Sequence, residues 1–112
     1  MVKIKICDDF SEAPGGRYIQ EGEHSGEEFR DNILLPKFEE AEKNNEMLEI
    51  DFDGGFGFGT SFLEEAFGGL VRKHHKKNVL KVIRIISTED ETIPELIAKY
   101  VKDAEAKLKC KK

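Results

Sequence analysis

Val2, Ile4 and Ile6 alternate with Lys3 and Lys5 at the start of the chain, the period-two pattern of a strand with one buried face. Pro14-Gly15-Gly16 then supplies a turn, after which residues 17–20 are expected to return antiparallel beside that strand. The period changes at Ser25. Phe29, Ile33, Leu34, Phe38 and Ala41 recur at helical intervals, and Ser25 with Glu28 has the spacing of a capping box, so a helix is expected from about Gly26. Pro36 has no amide to donate and should kink or divide this helix, which Asn44 and Asn45 should end.

Leu48, Ile50 and Phe52 alternate with Glu49, Asp51 and Asp53 in a second clear strand, stopped by Gly54 and Gly55. Ser61 and Glu64 repeat the capping spacing, and Phe62, Leu63, Ala66, Phe67, Leu70 and Val71 mark a buried helical stripe running to about His75. Gly68 and Gly69 inside that helix cost about 1 kcal/mol each against Ala, which predicts that another backbone comes close there. Residues 79–86 are apolar on both faces apart from Lys81 and Arg84, as in a central strand covered on both sides. Thr92 and Glu95 give a third capping box, Pro94 suits a first turn, and Leu96, Ile97, Tyr100, Val101, Ala104 and Leu108 form the stripe of a closing helix. The order ββαβαβα predicts one α/β domain over residues 1–112, with a small, mainly parallel or mixed four-stranded sheet, about three helices and right-handed crossovers.

Composition narrows the class. With 38% hydrophobic and 37% charged residues, eight Phe and no Trp, a folded domain with a Phe-rich core is expected rather than disorder. The net charge of −5 hides a division: residues 8–65 carry 17 acids and 4 bases, residues 66–112 carry 6 acids and 12 bases. Solvation of helix faces accounts for much of that, although such a division also steers partners. The basic runs at 72–77 and 107–112 lack interleaved aromatics in an acidic chain, which argues against nucleic acid. No run reaches the length of a membrane span, and Met1 leads into an alternating pattern rather than a signal-peptide core, so the cytoplasm is expected, with Cys7 and Cys110 as reduced thiols.

Candidate chemistry gathers around residues 51–72. Gly54, Gly55, Gly57 and Gly59 lie at the carboxyl end of a strand, where open α/β sheets bind ligands and partners. Asp51 and Asp53 place two carboxylates on one sheet face, as magnesium sites of phosphoryl-transfer enzymes do, and the glycines before a helix could cradle an anion. That gives one reading, a small phosphate- or nucleotide-binding domain with possible Mg²⁺ dependence. Against it, the loop lacks GxxxxGK[ST], and Glu64 and Glu65 would repel phosphate. Phe56 and Phe58 between glycines suit anchors for a protein partner instead, and Arg17 with Tyr18 is expected to reach the same edge. Thr60 and Ser61 read as helix caps. His24, His74 and His75 form no catalytic set, so neither catalytic residue nor cofactor is expected.

FSEAPGGRYIQEGEHSGEEFR at residues 10–30 and IDFDGGFGFGTSFLEEAFGGLVR at residues 50–72 together resemble the bacterial STAS-like domain family of unknown function. The resemblance implies a domain similar to the anti-sigma-factor antagonists, which regulate partners by docking, often onto histidine-kinase-like ATPases. Those antagonists carry a phosphorylatable serine at the start of the helix after the central strand. Here Glu64 stands in the acidic place, while Glu65 and Ala66 stand where the serines would, so the phospho-acceptor is missing. Glu65 then invites a reading as a fixed stand-in for phosphoserine, set against the simpler one that a first-turn Glu favours the helix dipole. The expected function is a non-enzymatic regulatory module whose partner-binding residues are Arg17, Tyr18, Phe56, Phe58, Thr60, Ser61, Glu64 and Glu65.

Overall fold

The computed structural model of the chain describes residues 2–55 and 57–110, the last two by backbone alone. Three parallel strands form its sheet: β1 (Val2–Lys5), β2 (Leu48–Asp51) and β3 (Ile83–Ile86), in the spatial order β1-β2-β3. Register explains the faces. Val2 lies beside Leu48 and Leu48 beside Ile83, and Ile4 beside Ile50 beside Ile85, so one face is a sheet of branched aliphatics. The other face carries Lys3, Glu49 and Arg84 in one row, and opposite charges on neighbouring strands favour that register.

β1 runs into a short helical turn, α1 (Ile6–Asp9). The first crossover is a helical rod of three parts: α2 (Gly26–Phe29), a π-helical turn (Arg30–Leu34) and α3 (Leu35–Asn44). The second repeats that design with α4 (Thr60–Leu63), a π-helical turn (Glu64–Gly68) and α5 (Gly69–Arg72). A helical turn, α6 (Val79–Val82), precedes β3, and α7 (Thr92–Cys110) closes the chain. α3 packs on β1 and β2, α2 on α4, and α7 on α4 and α5, so the rods form a layer over the aliphatic face. Phe29, Phe38, Phe62 and Phe67 are fully buried in it. Ring centroids 5.5 Å apart join Phe29 to Phe62, and 6.4 Å separate Phe29 from Phe67.

Several expectations change. The sheet has three strands among the described residues, not four, because residues 17–20 do not pair with β1. Their backbone serves α2 instead: the carbonyls of Gly16 and Arg17 accept from the amides of Gly26 and Glu27, which would otherwise lack partners at a helix start. Ile19–Glu21 is a single 3-10 turn. Residues 79–86 do not form one central strand either. Asn78, at φ 58°, starts a helical turn by accepting from the amides of Lys81 and Val82, and only Ile83 onward is extended, at a sheet edge with Ile85 and Ile86 half-buried. Pro36 divides its rod as expected, standing in the first turn of α3, which restarts at Leu35. The π-helical turn before it bonds the Leu35 amide to the Arg30 carbonyl, re-phasing the helix one residue before the proline.

The backbones of the two rods come close at Gly26, where an added Cβ would lie 2.6 Å from the Phe62 carbonyl oxygen. Gly26→Ala should therefore destabilise the domain by about 1–3 kcal/mol although Ala is the better helix former. Urea unfolding with an unchanged m-value checks this, and a stabilised variant would show that the rods can part.

Candidate functional site

The two π-helical turns pack against each other, and their charged residues meet between them. Arg30, from the first turn, is 2% exposed, and Glu65, from the second, is 1% exposed. Arg30 Nη1 donates to Glu65 Oε2 and, at 3.3 Å, to the Glu65 backbone oxygen. Its Nε donates to Asp31 Oδ1 at 2.8 Å, and that oxygen lies 3.2 Å from His74 Nε2. Arg17 Nη1 reaches Glu64 Oε1 and lies 3.4 Å from Glu65 Oε1. Arg72 grips Glu64 with both terminal nitrogens and lies 3.4 Å from Glu65 Oε1. Three guanidiniums thus meet three carboxylates, the balance that buried charge requires. No buried side-chain nitrogen or oxygen among the described residues lacks a partner.

Local geometry follows from the sequence. The stripe Phe62, Leu63, Ala66, Phe67, Leu70, Val71 repeats every four residues, whereas an α-helix turns in 3.6, so over eight residues the stripe drifts by about 80°. A π-helical turn absorbs that drift. Gly68 and Gly69 make room, but for side chains rather than for the backbone expected from sequence. A Cβ on Gly69 would lie 2.6 Å from Arg30 Nη1, and one on Gly68 2.8 Å from Arg72 Nη1. Burial alone would push the Glu64 carboxyl up, but hydrogen bonds from Arg72 and Arg17 outweigh it and hold the group below the usual carboxylate range. Asp31 behaves likewise, with burial opposed by Arg30 and His74.

Arg17 ties the loop at 14–21 to this network. The Glu21 carboxylate accepts from the amides of Arg17 (2.7 Å) and Tyr18 (3.0 Å), and the Glu27 carboxylate from that of Ile19 (2.9 Å), so the loop is fixed by its own backbone. Tyr18 and Ile19 are left 37% and 52% exposed, with the Lys73 ammonium 6.0 Å from the Tyr18 ring centroid.

A second feature lies at the carboxyl ends of the strands. The Asp53 carboxylate accepts from the Thr88 amide (2.9 Å), the Thr88 hydroxyl (2.7 Å) and the Glu89 amide (3.0 Å), while the Glu89 carboxylate accepts from the Gly54 amide at 2.7 Å. The loops after β2 and β3 are thereby clasped in both directions. Between them opens a cleft of about 320 Å³ with Phe52, Phe58 and Ile93 on its floor and Glu89 and Asp90 among its walls. Phe58 meets Phe52 edge-on at 5.0 Å and Phe62 at 6.0 Å, so it is half-buried rather than a free-standing anchor.

The expected set is accordingly divided. Arg17, Tyr18 and Glu64 come together, and Thr60 and Ser61 are exposed on the first turn of α4, whose N-cap is Gly59, so neither hydroxyl caps it. Glu65 leaves the surface set: it faces Arg30 inside the domain, out of reach of a partner. Phe56 and the side chain of Cys110 lie outside the described residues. Asp51 and Asp53 part company, since Asp51 lies 3.6 Å from the Lys5 ammonium while Asp53 holds the β3 loop. No group of three potential metal-binding side chains is found among the described residues. Cys7 is a free thiol pushed up by burial and by Asp8, the opposite of an activated nucleophile. Arg30, Arg72 and Asp31 were not anticipated. An arginine adjoining the apolar stripe at Phe29, and a Glu pair seven and eight residues before an Arg on one helix, were the signals available.

The architecture is that of a small α/β domain with a three-stranded parallel sheet and a braced pair of crossover rods. A family model described as "STAS-like domain of unknown function (DUF4325)" matches residues 25–92, more than half of the chain, and the protein belongs to that family. The match takes in both rods, the clasp and the cleft lining up to Asp90, whereas β1 and the loop bearing Arg17 and Tyr18 precede it and Ile93 follows it. No curated protein and no solved structure matches the chain. No helix among the described residues is long and apolar enough to cross a membrane.

Glu65→Leu alone, or Arg30→Met alone, should destabilise the domain by about 3–5 kcal/mol by stranding a buried charge, whereas Arg30→Met with Glu65→Leu should cost far less. Chemical denaturation of the three variants measures this, and additive losses would refute a coupled pair.

A pH dependence follows from Asp53, whose carboxyl is held down first by the Glu89 amide, then by the Thr88 hydroxyl and amide. Its folded pKa lies below the unfolded value, so its contribution is full above about pH 4 and is lost as pH falls through the folded pKa. Asp53→Asn should flatten the fall of the urea midpoint between pH 4 and 2. An unaltered slope would show that the clasp is not linked to acid stability.

Proposed function

We propose that this domain is a non-enzymatic, cytoplasmic regulatory module that docks a partner protein through the first turn of α4 and the adjoining 14–21 loop. The partner is assigned to the class of histidine-kinase-like ATPases, on the resemblance to anti-sigma-factor antagonists. The observation that carries the reading is the mounting of Tyr18 and Ile19. Two adjacent large apolar side chains are held in solvent by a loop whose backbone is fixed by Glu21 and Glu27 and whose Arg17 is pinned to Glu64. Rigid, exposed aromatic surface with little conformational entropy to lose is what protein interfaces use as anchors. Thr60 and Ser61 are exposed on the first turn of α4, in the rod whose Glu64 holds Arg17. The phosphate-binding alternative draws no support from Asp53, whose carboxylate is occupied by backbone amides, nor from the acidic walls of the cleft.

Tyr18→Ala with Ile19→Ser touches no core contact and should leave the melting temperature within a few degrees. Affinity capture from native bacterial lysate, followed by quantitative mass spectrometry, should show one such ATPase enriched by the wild-type domain and reduced about tenfold or more by the double variant. Equal capture by both proteins would refute this surface.

A further inference from the structure

We infer that the cleft between the loops after β2 and β3 receives a cationic side chain, arginine before lysine, from a basic segment of a partner protein. This deepens the docking reading and rests on it. The strands are parallel, so the segments after all three emerge at one end of the sheet. Residues 5–12, 51–59 and 87–91 carry Asp8, Asp9, Glu12, Asp51, Asp53, Glu89, Asp90 and Glu91 there, against Lys5 alone, and Lys5 is paired with Asp51. The opposite end receives the carboxyl ends of both rods, where Lys43, Lys73, Lys76 and Lys77 are matched by Glu39, Glu40, Glu42 and Glu46, and Lys76 is paired with Glu39 and Glu42. An unbalanced acidic surplus is therefore gathered at the carboxyl ends of the strands, and the cleft opens there.

The lining selects within that field. Phe58, Phe52 and Ile93 give an apolar, mainly aromatic floor that a bare metal ion would not use. A guanidinium stacks on such rings while its N–H groups reach carboxylates beside them. Glu89 and Asp90 each accept a backbone amide through one oxygen, from Gly54 and Thr92, which leaves the second oxygen of each carboxylate able to accept another donor. At about 320 Å³ the space is at the lower end of the range for small-molecule sites, about 300–1,000 Å³, a size suited to one long side chain. Phosphates meet carboxylates in place of counter-charges, so an anionic ligand is disfavoured. The same loop joins β2 to α4, where the docking surface begins, so a partner that covers Thr60 and Ser61 can place a side chain in the cleft.

The test uses the whole domain, ¹⁵N-labelled, titrated with the capped peptide acetyl-Ala-Arg-Ala-Arg-Ala-amide and with its citrulline counterpart, which keeps the shape and removes the charge. The arginine peptide should shift the amides of Gly55, Gly57, Phe58 and Ile93 saturably and bind less tightly as salt rises, while the citrulline peptide should leave them unmoved. Glu89→Gln with Asp90→Asn keeps acceptors for Gly54 and Thr92 and should weaken the arginine peptide about tenfold with little change in melting temperature. Equal shifts with citrulline, or shifts confined to the Asp8–Glu12 edge, would overturn the inference. If the peptide binds the cleft while the Tyr18/Ile19 variant still captures its partner, the docking surface fails and the cleft stands. If capture is lost and the peptide does not bind, the reverse holds.

Discussion

The pairing of Arg30 with Glu65 is the contact on which the helical layer depends. Both groups are almost without solvent, so neither tolerates the loss of the other, and each draws further residues into place. Arg30 needs Asp31 for its remaining donors, and Glu65 lies within reach of Arg17 and Arg72, which Glu64 also binds. Glycines at 68 and 69 leave the space that the Glu64 carboxylate and the Arg72 and Arg30 guanidiniums occupy, where a Cβ would crowd them. The π-helical turns belong to the same solution, since without re-phasing the four-residue stripe would rotate off the sheet before its end. One buried pair therefore fixes the distance, angle and phase of two crossover rods.

That brace also decides what the surface presents. Arg17 is a loop residue that binds inward, and its capture by Glu64 turns the next two residues outward. A salt bridge of this partial exposure contributes little to stability, but it sets position, and an interface anchor gains from position more than from strength. The carboxylate clasp between Asp53 and Glu89 does the equivalent at the sheet edge, holding two loops apart at a fixed width with the cleft between them.

Much of this was legible in the chain. β1, β2, both rods and α7 follow from period-two and helical patterns, and the Phe-rich core follows from the stripes. The failures have physical causes. Of three capping boxes only Ser25 accepts from its N3 amide: the Glu64 amide bonds to the Thr60 and Ser61 carbonyls while arginines claim its carboxylate, and the Thr92 hydroxyl donates to Asp90. The predicted hairpin at residues 17–20 lost to the unpaired amides of α2, a competition between distant segments that local turn chemistry does not register. The glycine pair at 68 and 69 reads as the close approach of another backbone, whereas the side chains of Arg30, Glu64, Glu65 and Arg72 fill that space. The strict period of four was present throughout the stripe and is itself the signature of a helix that is not wholly α.

Parallel sheets are ordinarily covered on both faces, and this one shows Lys3, Glu49 and Arg84 on its second face. Its short strands and alternating charges make that face soluble without a second helical layer. All the crossover helices can then be committed to one side, where the brace joins them. The consequence is a molecule with distinct directions: a charged sheet face, a helical face carrying Tyr18 and Ile19, and an acidic end where the strands finish. A partner matching the acidic end by charge and the helical face by apolar contact is oriented before it docks, because the long-range field selects the end and only the short-range anchors select the face.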